Sequence, residues 1–369
     1  MSRSPVYVLP VSDPQLLADL ERGLTLPASW YSAPEILRLE HARIFRRSWQ
    51  YAGVASDVAE PGAFFTCRTG DVPMVVVRGR NNELRAFVNV CRHRGHEVAQ
   101  GCGRRETLQC PYHAWTYDLD GSLRAAPRSE REPGFDVADW SLLPVLVDTW
   151  GPLVFVNPAV DAAPLAETLG ELPAEIARRG LDPATLEYRG RSREIIVAAN
   201  WKIVVENFLE CYHCPVAHKS FSRLIDVDPN AYELTTARWT SSQIAPARAG
   251  QNLPYDPTGE ITESQFHFIW PNWTLNTLPG PAHLRVLVFQ PLDAERTATF
   301  VDGFWAAGTP DDIVEEITAF GAVVGQEDTE LVESVHRGLR SGAIEHGRLL
   351  PGSEHLLQHF QRLVYDALA

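Results

Sequence analysis

The chain has 369 residues, 45% hydrophobic and 22% charged, with a formal net charge of −14. That length exceeds one average domain, so two are expected, and the acidic balance argues against nucleic acid or an anionic membrane as the main partner. No apolar run approaches the roughly 20 residues that span a bilayer, and the opening MSRSPVYVLPVSDPQ is broken by prolines and lacks the apolar core of a leader peptide.

Residues 1–45 read as a helical lead-in that packs on the C-terminal domain. Ser32 is placed to cap a helix through Pro34, Glu35, Ile36 and Leu37 to His41, Ile44 and Phe45. Residues 46–157 turn to short strands: Val75, Val76 and Val77 precede a turn at Asn81–Asn82, and the segment from Leu84 to Val90 runs straight into Cys91. Further on, Asp120–Gly121 is the strongest hairpin signal of this region.

Within this β-rich half, Cys91 and His93 form a Cys-x-His, and Cys110 and His113 form a Cys-x-x-His. Each short loop supplies one sulfur and one imidazole, the ligand set of a Rieske [2Fe–2S] cluster, in which histidines replace cysteines on one iron and raise the potential. Two cysteines and two histidines also suit a structural zinc, although zinc fingers group their ligands as a cysteine pair and a histidine pair. Both loops are expected at the tips of β-hairpins, with Gly95, Gly101 and Gly103 letting the backbone turn close to the metal. Of the six cysteines, Cys67 and Cys102 read as ordinary thiols, and a reducing, cytoplasmic compartment is expected.

Residues 158–369 form the second domain, entered through a proline- and alanine-rich connector that reaches Arg193. A helix is expected after Asn200, strands across 265–305, and a long helical region from Asp311. The segment NWKIVVENFLECYHCPVAHKS holds His213 and His218, about 140° apart on a continuous helix, so that Pro215 must break the helix for both to reach one metal. Two imidazoles and one carboxylate make the facial triad of non-haem ferrous oxygenases. Helix phase offers Asp328 as that carboxylate, on one stripe with Leu331, Val332, Val335 and Leu339, whereas Glu327 and Glu330 fall on solvated faces. Glu210 and Glu206 share a helical face with His213; either could orient its ring, or remain an ordinary carboxylate. Cys211 and Cys214 read as structural residues beside the metal, with a redox Cys-x-x-Cys pair as the alternative.

These motifs, in this order, resemble the catalytic alpha subunit of Rieske non-haem iron oxygenases. The resemblance implies an α+β chain: an all-β Rieske domain, then a helix-grip domain in which an antiparallel sheet wraps a long helix. It also implies one [2Fe–2S] cluster, one mononuclear Fe(II), dioxygen as co-substrate, a separate NAD(P)H-dependent reductase and a head-to-tail homotrimer. Position by position, Cys91, His93, Cys110 and His113 would hold the cluster, His213, His218 and Asp328 the iron, and Glu210 would bridge to a cluster histidine of the next subunit. Ring-hydroxylating members mostly carry Asp at the bridge. Glu here is closer to the choline, glycine betaine and carnitine monooxygenases, where ENFxECYHCPxAH reads similarly, and implies N-methyl or C–H hydroxylation of a quaternary ammonium compound. Trp270, Trp273, Tyr212 and Phe208, with Phe266 and Phe268, are the aromatic candidates for a cation pocket. An aromatic acid as substrate, and a non-catalytic electron carrier, are the competing readings.

Overall fold

The computed structural model describes residues 13–369; the first twelve residues of the lead-in and leader readings lie outside the described residues. The lead-in comprises helices Pro14–Glu21 and Pro34–Glu40, the second running into a wider turn at His41–Phe45. Its cap position is Ala33, which makes no side-chain hydrogen bond, and not Ser32. Pro34 at the first helical position supplies the start instead, because its fixed φ is already helical and its missing N–H would have lacked a partner there.

The N-terminal half is an antiparallel seven-stranded sheet, in the order Gln50–Val54, Leu153–Asn157, Pro144–Trp150, Leu84–Val88, Val72–Arg78, Ala63–Thr69, Cys102–Arg104. A small sheet of Leu108–Gln109, Thr116–Tyr117 and Leu123–Ala125 carries the second cysteine–histidine loop. Val75 and Val77 pack with Phe64, Phe87 and Tyr117 into a core that encloses Cys91 and Cys110.

The C-terminal half is built on an eight-stranded antiparallel sheet. Its order is Leu186–Arg191, Thr297–Ala306, His283–Pro291, Trp273–Thr277, Glu263–Ile269, Thr240–Pro246, Glu233–Thr236, with Ile195–Val197 also pairing with Thr297–Ala306. The first of these strands lies within the segment read as a connector. Helix Asp311–Arg340 crosses one face, here the inner face, where Val332 meets Phe268 and Phe289, and Ile317 and Phe320 pack in a cluster flanked by Phe266. Not all of its predicted stripe is covered: Leu331 and Val335 stay exposed at 38% and 49%.

Strand alternation sends the neighbours of those inner residues to the outer face. Ile269, Trp273, Leu275, Val286 and Val288 pack there against Trp49, Tyr51, Leu153 and Phe155 of the N-terminal half. The sheet therefore stands between the inner face and the N-terminal half of its own chain. The lead-in closes the remaining side with the C-terminal helix Pro351–Leu368, and Glu40 reaches in to pair with Lys202 Nζ at 2.5 Å, both side chains wholly buried. The Trp201 indole donates to the other Glu40 oxygen at 2.8 Å.

Candidate metal centres

The two cysteine–histidine loops share one backbone plan. In the first, the Cys91 N–H donates to the His96 carbonyl at 2.8 Å and the Gly95 N–H to the Cys91 carbonyl at 3.0 Å. In the second, the Cys110 N–H donates to the Trp115 carbonyl at 2.8 Å and the Ala114 N–H to the Cys110 carbonyl at 3.0 Å. The fourth residue after each cysteine is left-handed, φ 80° at Gly95 and 58° at Ala114. Glycine takes that conformation freely, whereas alanine is held there at a cost of about 1 kcal/mol.

The cysteines are buried and the histidines exposed, with the His93 and His113 rings 4.6 Å apart and His93 stacked on Trp115. Tyr117 Oη lies 3.4 Å from Cys91 Sγ and accepts the Arg92 N–H at 3.0 Å. Burial raises the Cys110 thiol pKa and adjacent Cys91 raises it further, so two interior thiols wait beside two outward imidazoles. This polarised set, sulfur inside and nitrogen outside, fits a two-iron cluster whose irons are ligated differently better than it fits a zinc site that draws four donors around one ion.

On the inner face, helix Trp201–Phe208, capped by the Asn200 side chain, ends well before the histidines. Pro215 does not break a helix between them. It opens a second one, the single turn Cys214–Ala217, which His213 and His218 flank as its two caps. Glu206, Glu210 and His213 therefore do not share a helical face. Cys211 and Cys214, read as structural residues beside the metal with a redox pair as the alternative, form a disulfide that closes the turn carrying His213.

His213 Nε2 and His218 Nε2 lie 3.0 Å apart, and Asp328 Oδ1 lies 3.4 Å from the first and 3.0 Å from the second. This is the one trio of potential metal donors so converged among the described residues. Cis donors about 2.1 Å from a shared cation stand about 3.0 Å apart, so the triangle fits one octahedral face with the opposite face open. Each imidazole is held from behind: His213 Nδ1 by Glu210, and His218 Nδ1 by Glu327 Oε2 at 2.8 Å. Burial alone would lower the His213 pKa, but its hydrogen bonds to the Asp328 and Glu210 carboxylates outweigh it and push it up to about 9. For His218 burial again opposes the Asp328 and Glu327 carboxylates, which still raise it.

Several expected residues sit elsewhere. Glu206 turns away from His213 and accepts from Tyr31 Oη at 2.7 Å and Gln361 Nε2 at 2.9 Å, so it supports neither His213 nor His218. Glu327, read as solvated, takes that part for His218. Trp273 lies on the outer face, 4.9 Å from Phe155, and Trp270 packs on Phe360 at 5.9 Å. Tyr212 is 63% exposed. Phe208 does face the site side, edge-on to Phe266 at 6.4 Å, and Phe221, missed from sequence, lies between Phe266 at 5.9 Å and His218 at 6.4 Å.

Comparison with known families matches residues 48–146 to the Rieske [2Fe-2S] domain and residues 183–369 to the ring hydroxylating alpha subunit (catalytic domain). The carnitine monooxygenase oxygenase subunit of Acinetobacter pittii is 33% identical over 92% of this chain and 94% of its own. The chain is an alpha subunit of the Rieske non-haem iron oxygenases. Another relative of this alpha subunit is the chloroplastic choline monooxygenase of Arabidopsis thaliana, 33% identical over 99% of this chain and 89% of its own. Among solved structures, a quaternary ammonium Rieske monooxygenase bound to L-carnitine superimposes with a TM-score of 0.83 at 31% identity, covering 98% of this chain and 99% of that one. A naphthalene 1,2-dioxygenase from Rhodococcus, at 22% identity and TM-score 0.77, shares the fold. The α+β architecture and the oxygenase class expected from the motifs are both met, and the domains imply a Rieske cluster and a mononuclear iron.

Proposed function

We propose that this alpha subunit hydroxylates a carbon attached to the nitrogen of a quaternary ammonium compound, with electrons from a separate NAD(P)H-dependent reductase. In this reading Cys91, His93, Cys110 and His113 hold the cluster, and His213, His218 and Asp328 hold the iron. When bound, the cluster supplies electrons singly and the ferrous ion activates dioxygen for insertion into a C–H bond. The observation that carries the reading is the donor triangle beside an aromatic wall of Phe208, Phe221 and Phe266.

Glu210 and Glu327 fix the tautomers: by accepting from each Nδ1–H they leave both Nε2 lone pairs facing the metal. The aromatic wall excludes water and offers ring faces to a cation that has no hydrogen-bond donor, each face worth about 0.5–2 kcal/mol. Hydroxylation next to the quaternary nitrogen gives a product that breaks its C–N bond to release an amine, an aldehyde and a proton. The two relatives described, acting on carnitine and on choline by name, support this substrate class.

Electron delivery between subunits of a homotrimer, through Glu210 and an exposed cluster histidine, completes the reading. The intervening sheet supports it, as do the exposed apolar residues Tyr112 and Leu143 near the cluster loops and Tyr212 and Val216 beside the metal turn. No helix among the described residues is long and apolar enough to cross a membrane. On a separate ground, six cysteines in so long a chain, we infer a cytoplasmic protein.

The test is iron loading under anaerobic conditions, then turnover with a surrogate reductase on carnitine, γ-butyrobetaine, choline and aromatic carboxylates. About three irons per chain and aldehyde release from an ammonium substrate are expected. His213→Ala should keep the cluster's visible spectrum and lose turnover; retained turnover would end the assignment.

A further inference from the structure

One buried cation in the catalytic half has no counter-charge. Arg285 lies on strand His283–Pro291 with its side chain on the inner face, since its neighbours Leu284 and Val286 pack on the outer one. It forms no salt bridge and no side-chain hydrogen bond among the described residues, yet burial is deep enough to lower the guanidinium pKa, offset only in part by Tyr255. It nevertheless keeps some accessible surface. A guanidinium stays charged in proteins, and an interior charge without a partner is costly. Room for it is built into the long helix: a Cβ at Gly321 would overlap the Arg285 guanidinium. Glycine inside a helix is about 1 kcal/mol worse than alanine, so the position favours the arginine over the helix.

The register places this charge relative to the metal site. Phe266 pairs with Asn276, and Asn276 with Arg285, in one row across the inner face. Two strand spacings set Arg285 about 10 Å from Phe266. Along the helix, Gly321 precedes Asp328 by seven residues, again about 10 Å and at nearly the same angle. The row thus runs from aromatic rings near His218 to a bare guanidinium, and the Asn276 Oδ1 between them lacks a hydrogen-bond partner.

We propose that Arg285 anchors the carboxylate of a zwitterionic substrate, so that this oxygenase takes a carboxylate-bearing quaternary ammonium compound rather than an amino alcohol. The ammonium group lies against Phe266 and its neighbours, a short carbon chain crosses the row, and the guanidinium fork receives the carboxylate. This specificity rests on the quaternary ammonium reading above.

Calorimetric binding to the iron-loaded, oxygen-free protein tests it, with γ-butyrobetaine and its methyl ester as matched probes and choline and benzoate as controls. Wild-type protein should prefer the acid over the ester by about 10- to 100-fold. Arg285→Gln should erase that preference by weakening the acid alone, and Arg285→Lys should restore part of it. Gly321→Ala, which displaces the guanidinium while favouring the helix, should lower the preference in the same direction. Equal weakening of acid and ester, or no preference in wild type, overturns the anchor while leaving the ammonium reading intact. Benzoate binding that depends on Arg285, with no binding of any ammonium probe, overturns the zwitterion and the ammonium reading together.

Discussion

Each histidine of the inner triangle has its own carboxylate at Nδ1, Glu210 for His213 and Glu327 for His218. Removing such a partner frees the ring to rotate and weakens the metal site typically 10- to 100-fold. Glu327→Gln should therefore lower Fe(II) affinity by roughly that factor in a chelator competition, with the cluster spectrum unchanged. That Cys91, His93, Cys110 and His113 come together as one group, and His213, His218 and Asp328 as another, was legible because local spacing or helix phase carries them. Glu327 was not, because its neighbour Asp328 had claimed the inward direction and adjacent helical residues diverge by about 100°. A long side chain at the edge of the covered face still reached His218. Trp273 misled for a similar reason: its strand was evident, but which face of the sheet it occupied depended on a register that only the folded sheet sets.

Among elements, the join between the lead-in and helix Trp201–Phe208 carries two buried ionisable clusters. Glu40 is the partner of Lys202, and removing one member of a wholly buried pair leaves an uncompensated charge. Glu40→Ala should cost about 3–5 kcal/mol, visible as a lower denaturant midpoint, while replacing both residues by apolar ones should cost less. One turn on, burial pushes the Glu206 pKa up to about 7 despite hydrogen bonds from Tyr31 and Gln361. Between the unfolded value of 4.5 and about 7 the folded chain thus holds more protons here than the unfolded one. The group's contribution is complete below that window and declines as pH rises through it, by at most about 1.4 kcal/mol per pH unit. Urea midpoints at pH 5 and pH 8 should show the wild type losing stability relative to Glu206→Gln; a gap that does not change with pH would refute the titration. The helix itself was legible as the segment following Asn200, but its early end was not. Pro215 looks like a terminator in sequence, and only the chain path shows it starting the turn between the two histidines.

For the whole molecule, the decisive arrangement is the sheet whose outer face meets the N-terminal half and whose inner face meets the long helix. If electrons pass between subunits, two defective chains should complement one another. Cys110→Ser and His213→Ala proteins, each inactive alone, should regain part of the wild-type rate after co-refolding or co-expression, measured as oxygen uptake with the surrogate reductase. Failure to recover any rate in verified mixed assemblies would require a path within one chain. The two-part architecture was legible from chain length and from the change of pattern along the chain. The stacking of one half on the other was not, since no local motif encodes which sheet face Phe155 will meet.

A wall between donor and acceptor also acts as insulation. If electrons cross only between subunits, a lone chain is an open circuit, able to be charged at one end and unable to discharge at the other, and assembly is what closes it. Specific rate should consequently sag on dilution well before any unfolding is seen, a behaviour foreign to enzymes that are complete in one polypeptide.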